Sequence, residues 1–204
     1  MKSPLKVLLS ASLMALYLAV CPLGSSAQAA NPFTTALKAT VKSSTSKMVA
    51  AARLMPEDKF SFKPTPASMS FGQLTLHIAT SNDGSCATLG GIAPLPRTTL
   101  TPTSPKDQLV KALQDSFAYC TKAIDNFSDA DLGKEVAGFG GRKMSAAALA
   151  LVLTDDWADH YSQQAAYLRL NGILPPTARG RGGMGRGMGR GMGGGMGSGM
   201  GSGH

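Results

Sequence analysis

An all-α fold, a four-helix bundle, is what this sequence predicts, and three observations carry the prediction. Four stretches between residues 31 and 172 place apolar residues at helical spacing, each opened by a capping residue or a proline. No convincing strand pattern competes with them. Helices with one apolar face cannot stand alone in water, and packing four such faces together is the economical way to bury them.

The elements follow in order. Lys2 and Lys6 precede an apolar run over 7–20, and Ala27-Gln28-Ala29 supplies the small residues that signal peptidase requires, so 1–29 is expected to be a signal peptide cleaved before Ala30. The run is too short to span a hydrocarbon core, which needs about 20 apolar residues, and no stable membrane insertion is expected. Cys21 raises lipoprotein processing as an alternative, but Val20 stands where that processing prefers glycine or alanine. The first helix opens at Asn31-Pro32, a cap followed by proline, and carries Leu37, Val41, Met48 and Met55 up to Pro56. The second opens on a capping box of Ser70 and Gln73, with Met69 and Leu74 at staple positions, and runs through His77 and Ile78 towards Cys86. Ser104-Pro105 repeats the cap for the third, whose seam is Leu109, Leu113, Phe117, Cys120, Ile124 and Phe127. Ser145 caps the fourth, which passes through Leu149, Leu153, Trp157, Tyr161 and Leu168 to Asn171-Gly172. The connection over 90–103 is long enough to cross the bundle, and 127–143, rich in glycine, is expected to be a flexible loop, with a turn lying over one end as one form of it.

Charge argues against a nucleic-acid partner. The chain of 204 residues carries +8, but Lys2, Lys6 and four arginines between Arg179 and Arg190 supply six basic groups outside the body. What remains is fourteen basic against twelve acidic residues, too even for a nucleic-acid surface. Export places Cys86 and Cys120, the two cysteines left after cleavage, in an oxidising compartment, periplasmic or extracellular, where a disulfide is expected; two buried thiols are the alternative. A homodimer is compatible with a bundle of this size, though no surface stripe demands one.

Fourteen of the 24 glycines and five of the 11 methionines lie at or beyond Gly180, so 177–204 is expected to be a disordered tail. Met184, Met188, Met192, Met196 and Met200 recur every four residues, and thioethers suit Cu(I), which makes soft-metal binding by the tail one reading. A solubilising extension without a ligand is the other, because a glycine-rich tether costs much entropy to order. Arg-Gly repeats would suggest RNA in a cytoplasmic protein. In an exported one, contact with anionic lipid or polysaccharide is the weaker alternative.

The chemical signal lies on two helices. Leu149, Leu153, Asp156, His160 and Tyr167 follow one another at steps of four, three, four and seven, so an acid and an imidazole share an apolar stripe. Asp155 and Asp159 fall on the wetter side. His77, three residues after Leu74, points at the core or its rim. Two imidazoles and a carboxylate from separate helices can converge on one cation with positions left open, and a buried Asp156 needs such a partner. A plain His160–Asp156 hydrogen bond accounts for the same residues without a metal.

Two blocks of residues resemble a known family. Met55-Pro56-Glu57-Asp58-Lys59-Phe60-Ser61-Phe62-Lys63-Pro64-Thr65-Pro66, leading through Ser70-Phe71-Gly72-Gln73-Leu74 to His77-Ile78-Ala79, resembles the entry to the second helix of DinB-like proteins. Asp156-Trp157-Ala158-Asp159-His160-Tyr161, followed by Tyr167-Leu168-Arg169-Leu170-Asn171-Gly172-Ile173-Leu174-Pro175-Pro176, resembles the end of their last long helix. The resemblance covers about Asn31 to Pro176, within the proposed domain, 30–176. It implies a DinB-like bundle in up-down-down-up order, with a long crossover between helices two and three and a metal site at one end. The family's usual ligands are three histidines, which by position become His77, Asp156 and His160. Asp156 departs from the pattern, and Ser162 stands where glycine is common. A carboxylate oxygen remains a competent ligand for zinc, nickel, manganese or iron.

With export read from the amino terminus, the resemblance implies a protein binding one divalent metal ion, Zn, Ni, Mn or Fe, and acting on a small-molecule substrate as a metal-dependent hydrolase or thiol-dependent transferase. A set of two histidines and one carboxylate also matches oxygen-activating iron sites. A non-catalytic bundle, or a copper carrier acting through its methionine tail, is the competing class.

Overall fold

The structure, a computed structural model, describes residues 31–96 and 99–179; the expected signal peptide with its cleavage site, Cys21 and the tail from residue 180 lie outside the described residues. Four long helices form the body: α1 (Pro32–Leu54), α2 (Phe71–Gly90), α3 (Lys106–Asp125) and α4 (Ala146–Leu170). A short α5 (Pro176–Arg179) follows, so helical structure continues three residues beyond the domain end expected at 176.

Side-chain contacts fix the helix directions. Between α2 and α3, Asn82 meets Ser116, and Cys86 is bridged to Cys120 with 5.0 Å between Cα atoms, an advance along both chains that makes the two helices parallel. Between α2 and α4 the order reverses: Asn82 meets Trp157 while His77 meets His160. Lys38 pairs with Asp125 and Arg53 with Gln114, so α1 and α3 are antiparallel as well. The order is up-down-down-up. A 20-residue helix is about 30 Å long, and the connection from Gly91 to Pro105 has the reach to return across it.

The four faces meet in one core. Trp157, Phe71, Phe117, Met48, Leu74, Leu113, Ile124 and Leu153 are fully buried, each contributing about 1.5–3 kcal/mol by leaving water. All six residues of the α3 seam belong to this core. Gly90 lets α2 approach α3 closely, since a Cβ there would stand 2.6 Å from the Ala123 carbonyl oxygen. The core also holds polar groups. Asn82 donates from Nδ2 to Ser116 Oγ at 3.0 Å and accepts from Trp157 Nε1 at 2.6 Å, so one carboxamide ties α2 to two neighbours.

The helix ends are satisfied partly as the sequence indicates and partly from elsewhere. Ser70 and Gln73 form the capping box, and Ser145 Oγ accepts from the Ala148 amide. Ser104 does not cap α3: its hydroxyl accepts from the Thr101 amide within the crossover, and the helix begins one residue after Pro105, which stands at the cap position. The first residue of α3 and the turn that follows α3 hold the two ends of α1. Asp129 accepts from the amides of Phe33 and Thr34 at 3.0 and 2.8 Å, and Lys106 donates to the carbonyls of Arg53 and Met55 at 2.9 and 2.6 Å.

The glycine-rich segment after α3 is built rather than irregular. A 3₁₀ turn (Asp129–Asp131) leads into β1 (Glu135–Ala137), which pairs antiparallel with β2 (Lys143–Ser145), Val136 opposite Met144. Gly140 and Gly141 turn the hairpin at φ of 66° and 74°, angles that other residues rarely adopt. Three-residue strands are too short to show an alternation. The flexible loop expected here is thus corrected to a hairpin whose inner side chains, Val136 and Met144, pack on the core.

Candidate metal centre

The three expected ligands come together. His77 sits in the second turn of α2, Asp156 and His160 one turn apart on the facing stretch of α4, and one ligand atom from each lies within 4.8 Å of the other two. The antiparallel crossing of α2 and α4 produces this meeting. The imidazole rings of His77 and His160 stand edge-on, centroids 4.9 Å apart at 85°. Burial is graded: His160 is 6% exposed, Asp156 is half-buried, and His77 is open to solvent at the rim.

The polar atoms of the cluster lack conventional partners. His160 Nε2 lies 3.2 Å from Asp156 Oδ1, an ion-pair contact rather than a hydrogen bond; both ring nitrogens of His160 and Oδ2 of Asp156 are buried without a hydrogen bond. Leaving such atoms unpaired costs about 1–3 kcal/mol each, and more for charged groups. A cation between the three side chains answers this, so the residues present fit a divalent metal. His160 carries two opposed influences. Burial, the larger, disfavours its charged form, while Asp156 and then Asp159 favour it, and the outcome is a pKa above the ordinary histidine value. Asp159 is exposed, its Oδ2 3.8 Å from His160 Nδ1, and accepts instead from Gln163 Nε2 at 2.8 Å, in keeping with the solvated face assigned to it.

These contacts and the helix order bear on kinship. Residues 41–164 match the family description of the DinB superfamily. The chain belongs to the DinB superfamily. Its bundle also resembles solved structures, two of them of DinB-like proteins. One from Bacillus subtilis shares 22% identity at a TM-score of 0.57, covering 69% of this chain and 95% of that one. Another from Bacillus cereus shares 15% at 0.58, covering 69% and 93%. A conserved protein from Enterococcus faecalis shares 18% at 0.56, covering 68% and 96%. At these identities the likeness is one of fold. No curated protein matches the chain by sequence.

A groove of about 420 Å³ opens beside His77 in this DinB member, between the outer face of α2 and the hairpin. Thr80, Ser81, Ser85 and Thr88 line one side, Phe139 and Gly138 the other. No lysine, arginine, aspartate or glutamate lines it. Larger hollows lie elsewhere, one of about 750 Å³ between α3 and the crossover, away from the histidines.

The stripe read from the sequence stepped from His160 to Tyr167 and passed over Gln164, which is 0% exposed. Its signal was available. Gln164 stands four residues after His160 and eight after Asp156, on the same face. Asn82 was also missed, because one amide in a helix gives no pattern.

Proposed function

We propose that this protein is exported and binds one divalent metal ion through His77, Asp156 and His160, acting as a metal-dependent hydrolase or a thiol-dependent transferase. The observation that carries the reading is the convergence of the three ligand atoms within 4.8 Å, with buried Asp156 Oδ2 and His160 Nε2 left unpartnered. Superfamily membership supports it. The buried Cys86–Cys120 bridge supports an oxidising compartment, and no described helix is long and apolar enough to cross a membrane.

A divalent ion at this place supplies a Lewis acid, polarising a substrate oxygen or easing deprotonation of water or thiol. The chain's own residues do the rest. Asp156 brings the negative charge that offsets the cation, an oxygen where the family has imidazole nitrogen. His160, fixed by burial among α4 neighbours, presents Nε2 on the Asp156 side and must give up its proton to bind, against the pull of the two carboxylates on that proton. His77 is the member of the cluster that lines the groove, so a substrate approaching along α2 meets hydroxyls and the Phe139 ring before it reaches the cluster through His77.

Equilibrium dialysis of purified protein against Zn, Ni, Mn and Fe(II), followed by metal analysis, tests the reading. One ion per chain is expected, with affinity lowered at least about 100-fold in His77→Ala and His160→Ala. Retention of the ion in both variants contradicts it. Turnover of activated esters by loaded protein supports the hydrolase. Thiol consumption that requires an electrophilic co-substrate supports the transferase.

A further inference from the structure

Among the described residues, every buried side-chain nitrogen or oxygen without a hydrogen-bond partner belongs to Asp156, His160 or Gln164. Three residues at four-residue intervals on one face of α4 therefore hold all the unmet polar demand of that kind. A cation among His77, Asp156 and His160 meets the demand at Asp156 Oδ2 and His160 Nε2. It leaves His160 Nδ1, which faces the exposed Asp159 carboxylate at 3.8 Å, and Gln164, whose Oε1 and Nε2 are both unpartnered at 0% exposure. Elsewhere in the core the contrary rule holds: Asn82, as deeply buried, uses both ends of its carboxamide.

We propose that Gln164 is the fourth polar residue of this centre, holding an oxygen-bearing ligand, a carbonyl or carboxylate, that sits beside the metal. The claim rests on the metal reading above and deepens it. Cα–Cβ bonds in a helix tilt towards its N-terminus, so the Gln164 side chain leans over the turn that carries His160. Its two functional ends match such a ligand: Nε2 donates to a carbonyl or carboxylate oxygen, and Oε1 accepts from a hydroxyl or a water brought in with it. A leucine at this fully buried position would leave no unpaired atom, so the amide carries a cost that a bound ligand removes. The neutrality of the carboxamide also suits the site. Asp156 already supplies the negative charge, and an uncharged partner lets an anionic oxygen approach the cation without repulsion.

The test is titration of acetate into Co(II)-loaded protein, read by the visible absorption of the ion, for the wild type, Gln164→Leu and Gln164→Met. Both substitutions are close to isosteric and remove an unpaired buried amide, so both variants are expected to fold with thermal stability at least equal to the wild type. The expected result is Co(II) bound by all three proteins, with the acetate dissociation constant raised about 10-fold in both variants. Acetate affinity unchanged by either substitution, or a wild-type spectrum that acetate leaves untouched, overturns the assignment of Gln164 while leaving the metal centre standing. A wild type that takes up no Co(II) overturns the metal reading and this inference together.

Discussion

The imidazole of His77 meets that of His160 edge-on at 4.9 Å, although the two residues lie on different helices and far apart along the chain. Neither helix makes that meeting alone. It depends on α2 crossing α4 antiparallel at a set height, and the height is fixed five residues further along α2, where Asn82 Oδ1 accepts from Trp157 Nε1.

Asn82→Ala removes both bonds of that carboxamide and leaves the Trp157 N–H buried and unpaired in a cavity. A loss of about 3 kcal/mol is expected in the urea unfolding free energy, and metal affinity should fall with it because the α2–α4 contact slips. A loss below about 0.5 kcal/mol would show that the contact is held by apolar packing alone.

Reduction of the Cys86–Cys120 bridge frees a loop whose ends are 34 residues apart. Its entropic contribution is about 4 kcal/mol, so the Cys86→Ser, Cys120→Ser double variant should melt several degrees lower than the oxidised wild type. Thiol titration of oxidised, denatured mature protein should find no free thiol at these positions.

Asp131 gives the fold an acid dependence that can be signed. Its hydrogen bond with Lys134, followed by those from the Ser128 hydroxyl and amide, lowers its pKa from 3.8 to about 2. A depressed carboxylate adds stability that is complete above the unfolded value and is lost as pH falls towards the folded one. The urea midpoint of Asp131→Asn should therefore lie below wild type by a constant amount from pH 5 to 8. That gap should close between about pH 4 and 2; a gap that persists at pH 2 contradicts the assignment.

Asp156→His restores the three-histidine set that the family pattern contains. Imidazole favours Ni and Zn over Mn relative to carboxylate, so the variant should still bind one ion per chain with its preference moved towards Ni and Zn, by about 10-fold or more in the affinity ratio. Competition dialysis between Mn and Zn reads the shift directly, and an unchanged ratio would remove Asp156 from the ligand set.

Much of this was legible in the chain. The seam from Leu109 to Phe127 and the caps at Ser70 and Ser145 are local signals, and local signals survive folding. His77 and His160 were legible because an imidazole on an apolar stripe stands out at helical spacing. What was not legible depends on segments distant in sequence. Asp129 caps α1 from the turn after α3 and Lys106 from the first residue of α3, so no inspection of α1 could name them. Ser104 has the form of a cap, yet the crossover claims its hydroxyl for Thr101. The hairpin was hidden because three-residue strands carry no periodicity; Gln164 was not hidden in this way, since its spacing from Asp156 and His160 places it on their face.

The most direct measurement of the central claim is a crystal structure of the mature protein soaked in zinc, with anomalous data collected on both sides of the zinc absorption edge. The account predicts a single strong peak between α2 and α4, about 2 Å from one nitrogen each of His77 and His160 and from an Asp156 oxygen. A map with no peak there, in crystals whose soaked zinc is bound elsewhere, contradicts it.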